Sequence, residues 1–340
     1  MRVLIWGAGA IGGTLGAYFV RAGHDVTLVD TVSEHIEVIS AKGLSLVGPI
    51  ETFSIYVPAF IPDKLIGQWD CVLLCTKAQH TEIALSGLLP HLTEDGYVVS
   101  VQNGLNELTL ADALGEARVI GSFVNFGADY QEPGVIHYGG RGAVVLGELN
   151  GQETPRLKEL HELFLTFDSA AVTTSNIWGY LWGKLAYGAM LFATALTNAS
   201  IADALDHPNY RTLYIALGQE VLGVADALEI QPEAFNGFDP QAFIPDTPET
   251  VSQRSIDEMV AFNRKSAKTH SGIWRDLAVR KRRTEVDPQL GAIVQAGRRI
   301  GVATPITEKL VELIHEVEAE KRMQGWDALE ALRQAQLEHA

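Results

Sequence analysis

The stretch Arg2–Gly13, with the sequence RVLIWGAGAIGG, decides the fold of the N-terminal half of the chain. Its first residues are mostly apolar and predict a buried β-strand. Gly7-Ala8-Gly9-Ala10-Ile11-Gly12 then matches the pattern G-x-G-x-x-G and leads into an apolar helix. In this context the first glycine allows a tight turn, the second lets the backbone approach a pyrophosphate, and the third lets helix and strand pack closely. The motif therefore predicts a dinucleotide-binding loop, and a glycine turn without a ligand is the alternative.

Asp30 ends the next predicted strand, residues 25–30. A carboxylate about twenty residues beyond the glycine loop accepts hydrogen bonds from the adenine ribose hydroxyls. A 2′-phosphate would meet like charge there, and Arg21, on the preceding helix, is not expected to compensate. Asp30 therefore favours NAD(H) and leaves NADP(H) as the alternative; a solvated strand end is the structural interpretation.

Strands and helices alternate through the first half, which predicts an α/β domain with a parallel sheet covered by helices on both faces. Further strands are expected at residues 70–75, 97–101 and 119–124. Ser33 is a candidate cap for the second helix. Residues 44–46 and 53–57 predict a hairpin or short strands. Residues 135–137 and 144–146 flank glycines and predict an antiparallel hairpin.

The pattern becomes helical after about residue 170. Helices are predicted at residues 176–193, 207–228, 287–300 and 305–319, with an irregular excursion at 231–250. We therefore expect two domains, 1–170 and 175–340. Amphipathic C-terminal helices predict a homodimer, although no heptad pattern is sustained.

Composition excludes several classes of protein. The 340 residues are 47% hydrophobic and carry a net charge of −16, which argues against a nucleic-acid surface. No apolar run is long enough to span a membrane. Cys71 and Cys75 are interpreted as core thiols of a reduced, cytoplasmic protein. No histidine or carboxylate cluster has metal-ligand spacing, so no metal site is expected.

Several short motifs together resemble the ketopantoate reductase (2-dehydropantoate 2-reductase) family. Besides the glycine loop, these are Cys75-Thr76-Lys77-Ala78, Gln102-Asn103-Gly104, Pro133-Gly134-Val135, Leu181-Trp182-Gly183-Lys184-Leu185 and Arg283-Thr284-Glu285-Val286-Asp287. The resemblance implies an N-terminal Rossmann domain and an all-helical C-terminal domain of the 6-phosphogluconate dehydrogenase type. It also implies an active site in the cleft between them, where a reduced nicotinamide transfers hydride to a 2-oxo acid.

Lys184 resembles the family's catalytic lysine. It follows Ile177 and Leu181 at helical spacing on an apolar stripe, where a cation needs a reason to be buried. The resemblance implies that its ammonium polarises the ketone and supplies the proton. The structural alternative is a packed stem whose amine reaches water.

Four more residues are candidate ligands. Lys77 and Asn103 follow apolar strands, where ligands of open α/β sheets bind, and the resemblance places both toward the nicotinamide. A solvated strand end and a turn residue are their respective alternatives. Glu285 resembles the glutamate that binds substrate or a cofactor hydroxyl. Ser271 corresponds to the family's substrate-binding serine, although the segment from it to Glu285 is a residue or two too long.

Other residues of this region have less specific interpretations. His270 and Trp274 are further candidates to line the site. Asp287, before Pro288, is interpreted as a helix N-cap. The basic run 280–283 is interpreted as a solvated helix face rather than an anion site.

Gly188 departs from the family, which carries a substrate-binding asparagine four residues after the lysine. The nearest polar candidate on this side, Asn198, is more than two turns away. The departure leaves the reductase chemistry in place but removes a polar contact expected for ketopantoate, so that a 2-oxo acid reductase of the ketopantoate reductase type stays the leading hypothesis. The alternatives are an NAD-dependent 2-hydroxy acid or alcohol dehydrogenase with a bulkier substrate and, in another class, a non-catalytic dinucleotide-binding regulator.

Overall fold

A computed structural model describes residues 1–235, 237–265 and 269–338. The chain divides into two compact units, Met1–Ile177 and Trp178–Ala340. Among the described residues, no helix combines the length and the apolar character that crossing a membrane requires.

The first unit is an α/β domain. Its strands are β1 (Arg2–Trp6), β2 (Asp25–Val29), β3 (Leu44–Val47), β4 (Phe53–Ile55), β5 (Ala59–Phe60), β6 (Trp69–Leu74), β7 (Leu92–Ser100), β8 (Val119–Val124), β9 (Gly127–Glu132), β10 (Val135–Gly140), β11 (Val144–Glu148) and β12 (Val172–Thr173). Its helices are α1 (Ala10–Arg21), α2 (Ser33–Lys42), α3 (Thr81–Leu88), α4 (Asn106–Leu114) and α5 (Pro155–Leu165).

The main sheet has the strand order β12-β11-β8-β7-β6-β1-β2-β5. Strands β5, β2, β1, β6, β7 and β8 pair in parallel, which confirms the predicted Rossmann sheet. From β1 the chain continues first to one side and then, through β6, to the other. Ligands of open α/β sheets bind beyond the carboxyl ends of the strands at such a reversal.

A second, smaller sheet has the order β4-β3-β10-β9. The predicted pairing of residues 44–46 with 53–57 is confirmed, since β3 and β4 are antiparallel. The predicted hairpin of 135–137 with 144–146 is wrong. Strand β10 pairs with β9 and β3, whereas β11 joins β8 in the main sheet. Residues 141–143, between β10 and β11, carry the chain from one sheet to the other, and the apolar pattern of the two strands could not reveal this.

The start of α2 also differs from the prediction. Ser33 is the first helical residue, and the N-cap is Val32, whose side chain accepts no capping hydrogen bond. The Val32 N–H instead donates to Oδ1 of Asp30 at 3.0 Å. The acceptor at this helix start is therefore the carboxylate of Asp30, the residue that follows β2.

The second unit is helical. It contains α6 (Ile177–Thr194, whose first residue closes the first unit), α7 (Ile201–Asp206), α8 (Arg211–Ala227), α9 (Glu249–Lys265), α10 (Gly272–Trp274), α11 (Ala292–Ile300), α12 (Pro305–Glu318) and α13 (Trp326–Glu338). The four predicted helices are present with shifted ends, and residues 287–291 form a π-helical turn before α11. Sequence analysis missed α7, α9, α10 and α13. The excursion predicted at 231–250 contains one 3₁₀ turn, Pro240–Phe243, before α9 begins at Glu249; Asn236 lies outside the described residues.

Helix α12 is held to α8 by a carboxylate. Glu220 accepts hydrogen bonds from the N–H groups of Ile306 and Thr307, both at 2.8 Å, and from the Thr307 hydroxyl at 2.7 Å. Burial raises the pKa of Glu220, and these three donors oppose the rise. The carboxylate thus satisfies N–H groups that a helix start leaves without intrahelical partners.

Candidate functional site

The glycine loop connects β1 to α1 through very close packing. Gly7 has φ +105°, and a Cβ at this position would lie 2.8 Å from the carbonyl carbon of Cys75. A Cβ on Gly12 would lie 2.1 Å from the Gly7 oxygen. Side chains are therefore excluded at both positions, as the sequence motif predicts.

Gly9 differs from these two glycines because its surroundings are open. A Cβ added there would meet no atom of the described residues within 4 Å. Gly9 is the N-cap of α1, and no side chain caps this helix. An uncapped helix N-terminus beside open space fits the pyrophosphate of a dinucleotide, which would lie against Ala10, Ile11 and the other residues of this loop.

Asp30 is oriented by the backbone around it. Its Oδ2 accepts the N–H of Ala8 at 2.9 Å while its Oδ1 accepts that of Val32. Each carboxylate oxygen has two acceptor sites, so both can still accept a ribose hydroxyl. Arg21 bonds to Glu51 at 2.6 Å and is thereby engaged away from Asp30.

The surroundings of Asp30 are acidic. Burial raises the pKa of Tyr130, and the charges of Asp30, Glu34 and Glu132 raise it further. A phosphate on the ribose would therefore approach several carboxylates.

A buried amide network shapes the loops after β6 and β7. Gln102 Nε2 donates to the Thr76 carbonyl at 3.1 Å and to the Thr81 hydroxyl at 2.9 Å. The Thr81 hydroxyl lies 2.9 Å from Asn106 Oδ1, and Asn106 Nδ2 donates to the Asn103 carbonyl at 2.8 Å. Sequence analysis quoted Gln102 only as part of a motif and missed this role. A glutamine directly after an apolar strand was the available signal.

This network supports two predicted site residues. Lys77 follows β6, Asn103 follows β7, and both are exposed. Because β1, β6 and β7 are parallel neighbours, these residues and the glycine loop share the carboxyl edge of the sheet. The structure thus brings together the predicted cofactor residues of the first unit.

The cysteines serve as core residues, as predicted. Both are free thiols; Cys71 is buried and Cys75 partly buried. Burial raises the pKa of Cys71 to about 12 and that of Cys75 as well. Cys75 packs under the glycine loop, where a Cβ on Gly12 would come within 2.9 Å of its Cβ. Among the described residues, no group of His, Cys, Asp or Glu side chains could hold a metal ion.

Lys184 lies on α6 in the second unit and is partly buried. Ile177 and Leu181, which precede it on the same row, are 1% and 2% exposed. The helix backbone next to Lys184 packs closely against residue Glu233. A Cβ on Gly183 would lie only 2.6 Å from the Glu233 carbonyl oxygen. Lys184 therefore projects from an anchored helix on its apolar row.

Glu285 is buried next to an anchored residue. Thr284 donates its N–H and its hydroxyl to Glu318 Oε1 on α12, each at 2.7 Å. The interpretation of Asp287 as an N-cap is wrong. Val286 already has helical dihedral angles, and Asp287 Oδ1 lies 3.0 Å from His315 Nε2. Two side chains of α12 therefore position the segment that carries Glu285.

Ser271 is a helix cap in the structure. It is buried, and its hydroxyl accepts the Trp274 N–H at 3.1 Å. Trp274 packs against His270 with ring centroids 4.1 Å apart and ring planes tilted by 35°, and it donates to Asn198 Oδ1 at 3.3 Å. The structure thus brings together His270, Trp274 and Asn198.

The segment after Ser271 contains a π-helical turn, Arg275–Val279. A π turn takes up an additional residue, which is consistent with the extra length before Glu285. The basic run 280–283 is exposed, as predicted, but it forms no helix face, because the π turn ends at Val279. Arg280 and Arg282 bond to the buried carboxylate of Asp276 at 3.1 and 3.0 Å.

Comparison with known proteins agrees with this architecture. The family model described as ketopantoate reductase PanE/ApbA matches residues 3–151, and that of its C-terminal domain matches residues 176–318. The chain belongs to the ketopantoate reductase family. It is therefore an NAD(P)-dependent oxidoreductase acting on CH–OH groups, as the motifs implied.

Individual relatives cover almost the whole chain. The 2-dehydropantoate 2-reductase of Halobacterium salinarum is 26% identical over 92% of this chain and 98% of its own length. The structure of 2-dehydropantoate 2-reductase from Geobacter metallireducens superposes with a TM-score of 0.80 at 26% identity and covers 93% of this chain and 99% of that one. A D-mandelate dehydrogenase solved with NADH and anilino(oxo)acetate shares the fold, with a TM-score of 0.82 at 23% identity, over 94% and 99% of the two chains.

The different surroundings of Gly9 and Gly12 predict that substitutions at the two positions affect cofactor binding and folding differently. Gly9→Ala should lower the free energy of unfolding by less than about 1 kcal/mol, because its Cβ would lie more than 4 Å from the atoms of the described part of the chain. The dissociation constant for NADH should nevertheless rise at least about tenfold, since the methyl group occupies pyrophosphate space. Gly12→Ala should instead destabilise the fold by about 1–3 kcal/mol through overpacking. Urea unfolding and NADH titration measure both effects. Wild-type NADH affinity in Gly9→Ala would contradict this assignment of the loop.

Proposed function

We propose that this protein is an NADH-dependent reductase of 2-oxo acids, with chemistry like the conversion of 2-dehydropantoate to pantoate. The observation that carries the proposal is Lys184, a cation on the apolar row of an anchored helix, in a chain that matches both family models. The chain has a net charge of −16, which argues against a nucleic-acid partner and so supports a small-molecule substrate.

The reaction requires one hydride and one proton. When bound, the reduced nicotinamide supplies the hydride to C2 of the 2-oxo acid. The Lys184 ammonium donates a hydrogen bond to the ketone oxygen and gives its proton to the alkoxide as the C2–oxygen double bond becomes single. Glu285 accepts a hydrogen bond from a substrate hydroxyl, and Ser271 and Asn103 supply further polar contacts. Lys77 and Asn103 orient the cofactor at the carboxyl edge of the sheet.

Replacing the lysine tests this mechanism. Lys184→Ala should lower kcat/KM for 2-oxo acids by about 10²–10⁴-fold, because the proton donor is lost. NADH affinity should stay within about threefold, as the glycine loop is unchanged. Lys309→Ala, which removes a lysine paired with Glu312 on α12, is the control and should retain turnover. Full turnover in Lys184→Ala would refute the proton-donor role. Absence of turnover with every 2-oxo acid in the wild type would favour a non-catalytic dinucleotide-binding regulator.

The preference for NADH rests on Asp30. Its carboxylate is held by the Ala8 and Val32 amides, and swinging it away to admit a phosphate would break these bonds. Glu34 and Glu132 add negative charge nearby. Both features support ribose hydroxyls rather than a 2′-phosphate.

Kinetics with the two cofactors test this preference. The wild type should show at least about tenfold higher kcat/KM with NADH than with NADPH, equivalent to about 1.4 kcal/mol. Asp30→Asn should reduce this ratio because the repelling charge is removed. Asp25→Asn, at the opposite end of β2, provides a matched control and should leave the ratio unchanged. A wild-type preference for NADPH would contradict the assignment.

Gly188 favours a second candidate, an NAD-dependent dehydrogenase of a bulkier 2-hydroxy acid. Among the described residues, a Cβ at this position would meet only Gln289 Oε1, at 3.8 Å. The packing around Gly188 therefore does not require glycine. A glycine inside a helix lowers its stability by about 1 kcal/mol relative to alanine, and packing does not account for this loss. Open space one turn from Lys184 supports a substrate with a wide side chain.

Filling this space tests the second candidate. Gly188→Ala should lower kcat/KM for phenylglyoxylate relative to glyoxylate by about tenfold, because the methyl group occupies substrate space. Gly223→Ala on α8 is a matched control, since a Cβ there likewise has room and meets none of the described residues within 4 Å. Both variants should unfold at or above the wild-type temperature. An unchanged substrate ratio in Gly188→Ala would reject this subsite.

A further inference from the structure

His35 connects the glycine loop to the second sheet of the first unit. It lies on α2, is 1% exposed, and packs its ring edge-on against Tyr130 of β9. Its Nε2 is 2.9 Å from the Ala8 carbonyl oxygen, and its Nδ1 is 2.9 Å from the Gly134 nitrogen. The ring thus joins the glycine loop to Gly134, which is 99 residues from His35 in sequence.

The two contacts determine which ring nitrogen carries the proton. A backbone N–H can only donate, so Nδ1 must accept the hydrogen bond from Gly134. The proton of the neutral ring is therefore on Nε2, which donates to the Ala8 oxygen.

Gly134 is itself firmly placed. It has φ +76°, and a Cβ there would lie 2.5 Å from Cγ1 of Val38 on the same helix as His35. Its carbonyl accepts the Ser45 N–H of β3 at 2.8 Å. The Pro133-Gly134-Val135 motif therefore has a physical role, because its glycine supplies the donor that orients the His35 ring.

Both ends of Ala8 are consequently held. Its N–H donates to Asp30 and its carbonyl accepts from His35. In a planar trans peptide the carbonyl and the following N–H point in opposite directions. Holding the Ala8 oxygen toward α2 therefore turns the Gly9 N–H to the other side of the loop.

We propose that His35 is a positioning residue for the dinucleotide, acting through Ala8 to aim the Gly9 N–H at the pyrophosphate. This inference rests only on binding of a nicotinamide dinucleotide by the glycine loop, and it is independent of the substrate. Its readout is the dissociation constant for NADH, measured by isothermal titration on the full chain, so its failure is distinguishable from that of the reductase mechanism.

Two conservative variants separate the two hydrogen bonds of the ring. In His35→Gln the amide nitrogen can take the place of Nε2 and keep the donor to Ala8. In His35→Asn the amide oxygen can take the place of Nδ1 and keep the acceptor for Gly134, but the donor to Ala8 is lost. The NADH dissociation constant should rise about tenfold in His35→Asn, the effect of one neutral hydrogen bond, and less than threefold in His35→Gln.

Thermal unfolding of both variants distinguishes positioning from general stability. If His35 only stabilised the fold, affinity would follow the unfolding temperature, and the two variants would weaken binding in proportion to their loss of stability. That result, or wild-type affinity in His35→Asn, would overturn the proposal. His161→Phe is the matched control, since His161 also bonds a backbone carbonyl in this unit, that of Ala171 at 2.8 Å. It should bind NADH as the wild type does.

Discussion

The first unit depends on direct contact between the backbones of β1, β6 and the start of α1. At Gly7 and Gly12 the backbone approaches so closely that a single methyl group would overlap its neighbours. This contact sets the direction in which α1 leaves the sheet, and with it the direction of the helix amides. Gly9, two residues after Gly7, lies outside this close contact. The loop therefore has tightly packed glycines at Gly7 and Gly12 and a glycine with space for a ligand between them.

Hydrogen bonds from polar side chains stabilise the glycine loop and the neighbouring loops in this arrangement. Asp30 and His35 hold the two ends of Ala8, and the Gln102 network holds the loops after β6 and β7. Buried hydrogen bonds of this kind contribute modest free energy individually, but they restrict the backbone to one arrangement. A loop ordered in advance loses less entropy when a ligand binds. Hydrogen bonds of the chain itself thus order the carboxyl edge of the sheet.

The second unit uses the same principle with helices. Glu220 fixes the start of α12 against α8, and Glu318 and His315 near its end hold the segment around Glu285. The π turns at Arg275–Val279 and Asp287–Gly291 flank this segment. Such turns are frequent at functional sites, because widening a helix re-aims side chains without breaking it. Gly188 leaves open space beside this region, toward Gln289.

Local patterns predicted much of this structure. Apolar strands, the glycine loop and the long amphipathic helices α6, α8 and α12 were all predicted, because each depends on neighbours a few residues apart. Helix α9 was missed because its buried face includes Ser252 and Ser255, which do not give an apolar period. The cap roles of Ser33 and Asp287 were wrongly predicted, because both residues already lie inside their helices.

The sequence by itself determined the Rossmann class, and it identified the glycine loop and Lys184 as candidate site residues, since these follow from motifs with short spacing. The tertiary structure decided which strand β10 pairs with, which tautomer His35 adopts, how Glu285 is anchored and what lies opposite Gly188. Each of these depends on residues far apart in the chain, such as His35 and Gly134 or Thr284 and Glu318. Hydrophobic periodicity predicts whether a residue is buried. It does not predict which residue packs against it, because that contact depends on how distant segments of the chain pack together.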